Sequence, residues 1–134
     1  VPTTSLTVPL GIDAEGPGVN EDWGYATIVG MLMYLAQNSR PDIAYTVHQY
    51  ARFIHAPRKS HVVEIKRILR YSQGTKDKGL ILNPSDTLQV DCFVDADFAG
   101  LWNVEQDQEP VCVKARTGYL IMFMGCPLTW VSKL

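Results

Sequence analysis

Apolar positions along this chain change their period twice, and each change marks a different kind of structure. The first twenty residues have almost no periodicity and carry Pro2, Pro9 and Pro17 with Gly11, Gly16 and Gly18. Such a segment predicts an extended arm draped over a surface. From Asp22 the apolar positions fall three and four apart: Tyr25, Ile28, Val29, Leu32 and Leu35 share one helical stripe, which "NSRP" (38–41) interrupts. Pro41 sits where a first helical turn tolerates proline, with Ser39 as candidate cap. Ile43, Val47, Ala51 and Ile54 then form a second stripe, ended by Pro57. A third helix is expected from about Ser60 to Tyr71, with Val62, Ile65 and Leu69 on its packed face and Gly74 as a left-handed stop. Three helices with short connections predict a compact helical unit.

After Gly74 the period becomes two. "GLIL" (79–82) reads as a short strand closed by Asn83-Pro84. In "LQVDCFVD" (88–95), Leu88, Val90, Cys92 and Val94 share one face, and Gln89, Asp91, Phe93 and Asp95 the other. "NVEQDQEP" (103–110) reads as an acidic loop. Two further strands, "TGYLIMFMG" (117–125) and "PLTWVSK" (127–133), flank a corner at Gly125-Cys126-Pro127. The order predicts an arm, three helices and an antiparallel meander. Val90, Cys92 and Val94, with alternate members of "YLIMFM" and Trp130, are expected to form one apolar face that needs a covering. The helices, a protein partner or a second copy would supply it.

Composition narrows the classes. With 134 residues, 46% of them hydrophobic and 19% charged, the chain can bury a core and is not a disordered tail. A formal net charge of −2 excludes indiscriminate coating of nucleic acid and moves the question to local patches. No apolar run reaches the roughly 18 residues of a membrane span. "VPTTSLTVPLG" has no basic n-region, so it predicts a cut inside something longer rather than a signal peptide. Cys92, Cys112 and Cys126 have neither CxxC spacing nor a matching histidine pair, and predict reduced core thiols in a cytoplasmic or nuclear protein.

Two clusters carry candidate chemistry. Seven of the twelve basic residues, Arg58, Lys59, Lys66, Arg67, Arg70, Lys76 and Lys78, lie between positions 58 and 78, opposed there by only Glu64 and Asp77. Lys66 and Arg70 share a helical face opposite the Val62–Ile65 stripe, with Arg67 and His61 nearby. Cations so arranged suit a phosphate backbone; the alternative is a solvated amphipathic helix without a partner. His48 and His55 lack a second ligand at helical spacing and read as surface or interface residues. The second cluster is "FVDADFAG" (93–100), where Asp95 ends a strand and Asp97 follows. Paired magnesium ions need roughly four carboxylates. Asp91 lies about 13 Å back along the strand, and Asp107 and Glu109 fall in the expected loop, so a strand-end turn is the competing reading of the pair.

The stretch "YATIVGMLMYLAQNSRPDIAYTVHQYARFIHAPRKSHVVEIKRILRYSQGTKDKGLIL" resembles the end of the reverse transcriptase of Ty1/copia-type retrotransposons. "FVDADFAG" and "RTGYLIMFMGCPLTWVSK" resemble the start of the ribonuclease H domain that follows it in the same polyprotein. The resemblance runs from about Trp23 to Leu134, and the arm before it is similar to a proline-bearing linker. It implies an α+β chain with an arm over 1–22 and a three-helix thumb-like unit over 23–75. Residues 76–134 would be a three- to four-stranded meander, an incomplete ribonuclease H-like sheet. It also implies that the helices grip an RNA/DNA duplex, that Asp95 descends from a first metal ligand, and that Asp97 belongs to the "DAD" signature. The polymerase aspartates would lie upstream of Val1, and a second metal-binding glutamate beyond Leu134. Asp95 is then the remnant of a catalytic site not expected to act alone, and magnesium is expected only if other segments complete it. The chain is accordingly expected to be a fragment or domesticated remnant of such a Pol protein. The alternatives are an interaction subunit of a larger assembly, or one segment of an active enzyme.

Overall fold

A computed structural model of the chain describes residue 13 and residues 15–19, 23–97 and 116–133. Three helices, α1 (Tyr25–Asn38), α2 (Pro41–Ala51) and α3 (Lys59–Gly74), precede three strands, β1 (Val90–Asp97), β2 (Arg116–Phe123) and β3 (Cys126–Lys133). The α+β class and the order of elements are those the periodicity predicts. Two units divide between Gly79 and Leu80, one helical and one of sheet.

The helical unit is built on stripes that meet in one core. Val29, Leu32 and Ala36 come from α1, Ile43, Val47 and Tyr50 from α2, and Val62, Ile65 and Ile68 from α3, all buried with Phe53. Fully burying a side chain such as Leu32 or Ile65 contributes about 1.5–3 kcal/mol. Tyr25 donates its hydroxyl to the Tyr50 carbonyl at 3.0 Å, so its polar tip is satisfied inside the core. Burial pushes the Tyr25 phenol far above its ordinary value, helped by the neighbouring Tyr50, and burial with the Glu64 charge pushes Tyr50 up to about 12. Both rings are neutral under any physiological condition.

Several local details depart from the sequence reading. Arg40, not Ser39, occupies the cap position of α2, with Pro41 in the first turn. Ser39 instead closes α1, its N–H donating to the Leu35 carbonyl at 3.0 Å. The packed row of α3 runs through His61, Val62, Ile65 and Ile68, while Leu69 is 37% exposed. Gly74 lies within α3 and is not left-handed; Thr75 ends the helix with its hydroxyl donating to the Tyr71 carbonyl at 2.8 Å. A side-chain donor that satisfies a terminal carbonyl removes the need for a glycine stop.

His61 is the most consequential of these residues. It is fully buried, its ring stacks on Phe53 with centroids 4.0 Å apart, and its Nδ1 accepts the Arg58 N–H at 3.1 Å. One side chain thus closes the first turn of α3 and fills the core. At the other end of α3, Arg40 donates to both Asp42 oxygens at 2.9 and 2.8 Å and to the Thr75 hydroxyl at 2.7 Å. Tyr71 also donates to Asp42, at 2.8 Å. These bonds tie the start of α2 to the end of α3.

The sheet has the order β1-β2-β3 with both pairings antiparallel. Met124 and Gly125, at φ 52° and 78°, form the two-residue turn between β2 and β3. Paired positive-φ residues match the right-handed twist of the flanking strands, so the corner sits one residue earlier than expected. Pro127, which has no N–H, sits in edge strand β3 beside a register shift that leaves Leu128 unpaired. The expected fourth strand is absent among the described residues: 79–82 pairs with nothing, and Ile81 is 88% exposed. Backbone bonds near the sheet go instead from Ser85 to the Met124 carbonyl and from Met124 to that of Gln89. An apolar run becomes a strand only where an edge accepts its backbone groups, and here the edge near the turn takes residues 85 and 89.

The register also corrects the expected apolar face. Val90, Cys92 and Val94 pair with Phe123, Ile121 and Tyr119, whereas Trp130 stands in one row with Leu120 and Phe93 on the opposite face. Cys92 is exposed and Cys126 half-buried, so neither is a core thiol; Cys112 lies outside the described residues. No described helix is long and apolar enough to cross a membrane.

Two outcomes follow. His61→Ala removes a ring stack and a helix-end acceptor together, and should lower unfolding free energy by about 3 kcal/mol in urea titrations. His61→Leu restores volume without the acceptor and should recover only part of that loss. Asp42 is held below the ordinary aspartate value, chiefly by its bonds from Arg40. A depressed carboxyl stabilises the fold above the ordinary value, about 3.9, and that share is lost as pH falls through the lower folded value. With the side chain 37% exposed, screening limits the share to about 1 kcal/mol or less. Asp42→Asn should therefore be less stable at neutral pH and should lose less stability than wild type on acidification.

Candidate nucleic-acid interface

Because His61, Val62, Ile65 and Ile68 fix the inner face of α3, the 3.6-residue period fixes its outer face as well. That face carries Lys59, Val63, Lys66 and Arg70, all exposed. Helical rise puts Lys66 and Arg70 about 6 Å apart along the axis, and Lys59 about 10 Å before Lys66. Three cations in one row opposite a packed core form a rigid basic edge. Lys76 and Lys78 extend it into the turn after α3, where Lys78 donates its N–H to the Thr75 carbonyl at 3.0 Å.

The seven basic residues are not equivalent. Arg58 is half-buried and donates to the Gly16 carbonyl at 3.1 Å, which engages it with the arm. Arg67 lies beside the row and meets Glu64 at 3.7 Å, a partly neutralised pair. Lys66 places its ammonium 5.5 Å from the centre of the Trp23 ring, which itself packs 6.0 Å from Tyr25. Cation–π attraction at such a distance holds the ammonium without neutralising it. Trp23 escaped the sequence reading because no local spacing links position 23 to position 66. Lys59, Arg70, Lys76 and Lys78 make no side-chain hydrogen bond or ion pair among the described residues. They are the cations most available to an outside anion.

Of the histidines, His48 is half-buried on α2, His55 is exposed after it, and His61 belongs to the core.

In the sheet, Asp95 lies near the end of β1, exposed, directly across from Gly118. The adjacent position on β3 is Ser132. Glycine leaves room beside the carboxylate: a side chain at 118 would begin 3.8 Å from the Asp95 Cβ. Asp97 ends the strand opposite Arg116, which donates to the Ser132 hydroxyl at 3.0 Å. Asp91 accepts a bond from Gln89 farther back on the strand. Asp107 and Glu109 lie outside the described residues. Among the described residues no three His, Cys, Asp or Glu side chains converge, and a guanidinium is bonded to Ser132, in the same cross-strand row as Asp95. Two dications need several hard oxygens and little competing positive charge. The described donors do not fit that requirement.

Comparison with known proteins gives a consistent relationship. The chain is 36% identical over 119 residues to the Retrovirus-related Pol polyprotein from transposon RE1 of Arabidopsis thaliana, a match covering 89% of this chain and 8% of that protein. It is 40% identical over 110 residues to the Pol polyprotein from transposon TNT 1-94 of Nicotiana tabacum, covering 82% of this chain and again 8% of the relative. Secreted RxLR effector protein 161 of Plasmopara viticola is 35% identical over 109 residues, covering 81% of this chain and 71% of the effector. No family model and no solved structure matches. The chain thus spans about 8% of the length of the Pol polyproteins it matches. Over most of its length, the chain is homologous to Pol polyproteins of Ty1/copia-type retrotransposons.

Proposed function

We propose that this chain is a non-catalytic nucleic-acid-binding module derived from the reverse transcriptase–ribonuclease H region of a copia-type Pol polyprotein. Its helical unit acts as a thumb-like grip on the backbone of an RNA/DNA duplex. The observation that carries this reading is the exposed row of Lys59, Lys66 and Arg70 on the face of α3 opposite the buried His61, Ile65 and Ile68. A helix clamped on one side and cationic on the other approaches phosphates without rearranging. Such an approach gives affinity without sequence preference and with strong salt dependence. Homology to Pol polyproteins supports a nucleic-acid partner over a purely solvated basic helix.

The sheet contributes Asp95 and Asp97 to this reading only as remnants of a metal site. Magnesium would gain a role there if further carboxylates from other segments joined them.

A second reading, a protein-interaction module, is favoured by the apolar side chains that the sheet leaves in solvent. Val90, Phe93, Val94 and Leu128 are each more than half exposed. Exposed apolar clusters of this kind mark interaction surfaces. The effector of comparable size among the relatives supports a role for this segment apart from a full polyprotein.

Binding of the chain to a labelled RNA/DNA hybrid at several salt concentrations tests the first reading. Lys66→Ala with Arg70→Ala should weaken binding and reduce the slope of log K against log salt by about 1.8, which is about 0.9 for each phosphate no longer neutralised. Unchanged affinity and slope would remove it. Concentration-dependent size-exclusion chromatography tests the second: self-association relieved by Val94→Lys supports it, and a concentration-independent monomer counts against it.

A further inference from the structure

The described part of the arm is docked on the start of α3, at the end of the basic row. The Ser60 hydroxyl donates to an Asp13 carboxylate oxygen at 2.5 Å. Pro17 offers its carbonyl to the Lys59 N–H at 3.1 Å, Arg58 donates to the Gly16 carbonyl at 3.1 Å, and Gly18 bridges to Arg58. A turn holds the carboxylate in place: the Gly16 N–H donates to the Asp13 carbonyl at 3.0 Å, and Asp13 has φ 52°, a left-handed conformation that aspartate tolerates better than most residues. A Cβ at position 16 would overlap the Asp13 carboxylate, so a larger residue there must push that side chain aside. Glu15 adds a second acidic group on the same turn and is exposed.

Every group that the strap engages at the start of α3 is one that a phosphate would use. A hydroxyl, a guanidinium and a backbone N–H at the start of a helix are donors suited to an anion, and Lys59 supplies an adjacent exposed ammonium. The strap supplies a carboxylate and two carbonyl oxygens to the same groups. We propose that residues 13 and 15–18 form a displaceable acidic strap that occupies the first phosphate-binding position of the α3 row. A duplex backbone must displace it to engage the Arg58 guanidinium, the Lys59 N–H and the Ser60 hydroxyl. The inference rests on the duplex-binding reading above and adds to it an intramolecular competitor. It makes measured affinity the difference between two anions contending for one set of donors, so loosening the strap strengthens binding.

Gly16→Ala tests this without changing charge, because the added methyl group pushes the Asp13 carboxylate away from Ser60. Asp13→Asn removes the competing charge while keeping a residue that accepts the left-handed backbone. Glu15→Gln makes the same charge change on a residue with no bond to α3, and is the control for net charge. On a labelled RNA/DNA hybrid, Gly16→Ala and Asp13→Asn should bind severalfold more tightly than wild type, and more tightly than Glu15→Gln. Their slope of log K against log salt should steepen by about 0.9 for one added phosphate. If neither variant exceeds Glu15→Gln in affinity, or if both bind as wild type or more weakly, the strap is only a structural brace and the proposal is overturned. Its failure is distinct from failure of the underlying reading: there, Lys66→Ala with Arg70→Ala leaves binding unchanged, whereas here that pair weakens it and the strap variants do not strengthen it.

Discussion

The burial of His61 is the constraint on which the helical unit depends. An imidazole with no exposed surface must have its polar atoms satisfied and its ring packed. Phe53 supplies the stack and the Arg58 N–H supplies the bond to Nδ1. Because that bond closes the first turn of α3, the residue that fills the core also sets where the helix begins and how it is rotated. Rotation by one residue would swing each side chain by about 100°. The buried row His61–Val62–Ile65–Ile68 would then break, and Lys59, Lys66 and Arg70 would cease to form one outward edge. Spacing along α3 puts the cations in one row, and packing of the opposite face turns that row outward.

Polar bonds finish what the core begins. Arg40 and Tyr71 converge on Asp42, and Arg40 and Tyr71 both meet Thr75, through its hydroxyl. The far end of α3 is thereby held to the start of α2, and the near end is held by His61 and by the strap that carries Asp13. A helix fixed at both ends keeps its exposed charges preorganised, which reduces the ordering cost of binding. Lys66 is further restrained over Trp23. The sheet differs. Apart from the register shift in β3 its strands pair continuously, but large apolar side chains remain exposed on both faces, among them Val94 and Phe93 on adjacent, opposite-pointing positions.

Sequence periodicity captured what depends on neighbours along the chain. The three helices, the proline at the start of α2, the strands and the shared face of Lys66 and Arg70 all follow from spacing alone. It failed where a partner far away in the sequence decides. Ile68 rather than Leu69 is buried because α3 is rotated by His61, a polar residue that no hydrophobic stripe would include. Gly74 is an ordinary helical residue because Thr75 closes the helix end. Trp130 changes face because register, not alternation within one strand, determines which rows align, and residues 79–82 remain unpaired because no edge receives them. At the candidate site, the cluster of cations was legible, but their division into engaged and available members was not. Arg58 meets Gly16 and Lys66 meets Trp23 across 42 and 43 positions of sequence, and nothing local signals either pairing. Asp95 was expected to end the strand, but β1 continues to Asp97, and the cross-strand neighbours Gly118 and Ser132 emerge only from the register.

Backbone amide NMR of the full chain, titrated with a short RNA/DNA hybrid at low salt, probes the central claim at residue resolution. Shift changes concentrated at Lys59, Val63, Lys66 and Arg70, at saturable stoichiometry and fading as salt is raised, are the expected result. Changes confined to the strands, or spread without preference for that face of α3, would contradict it.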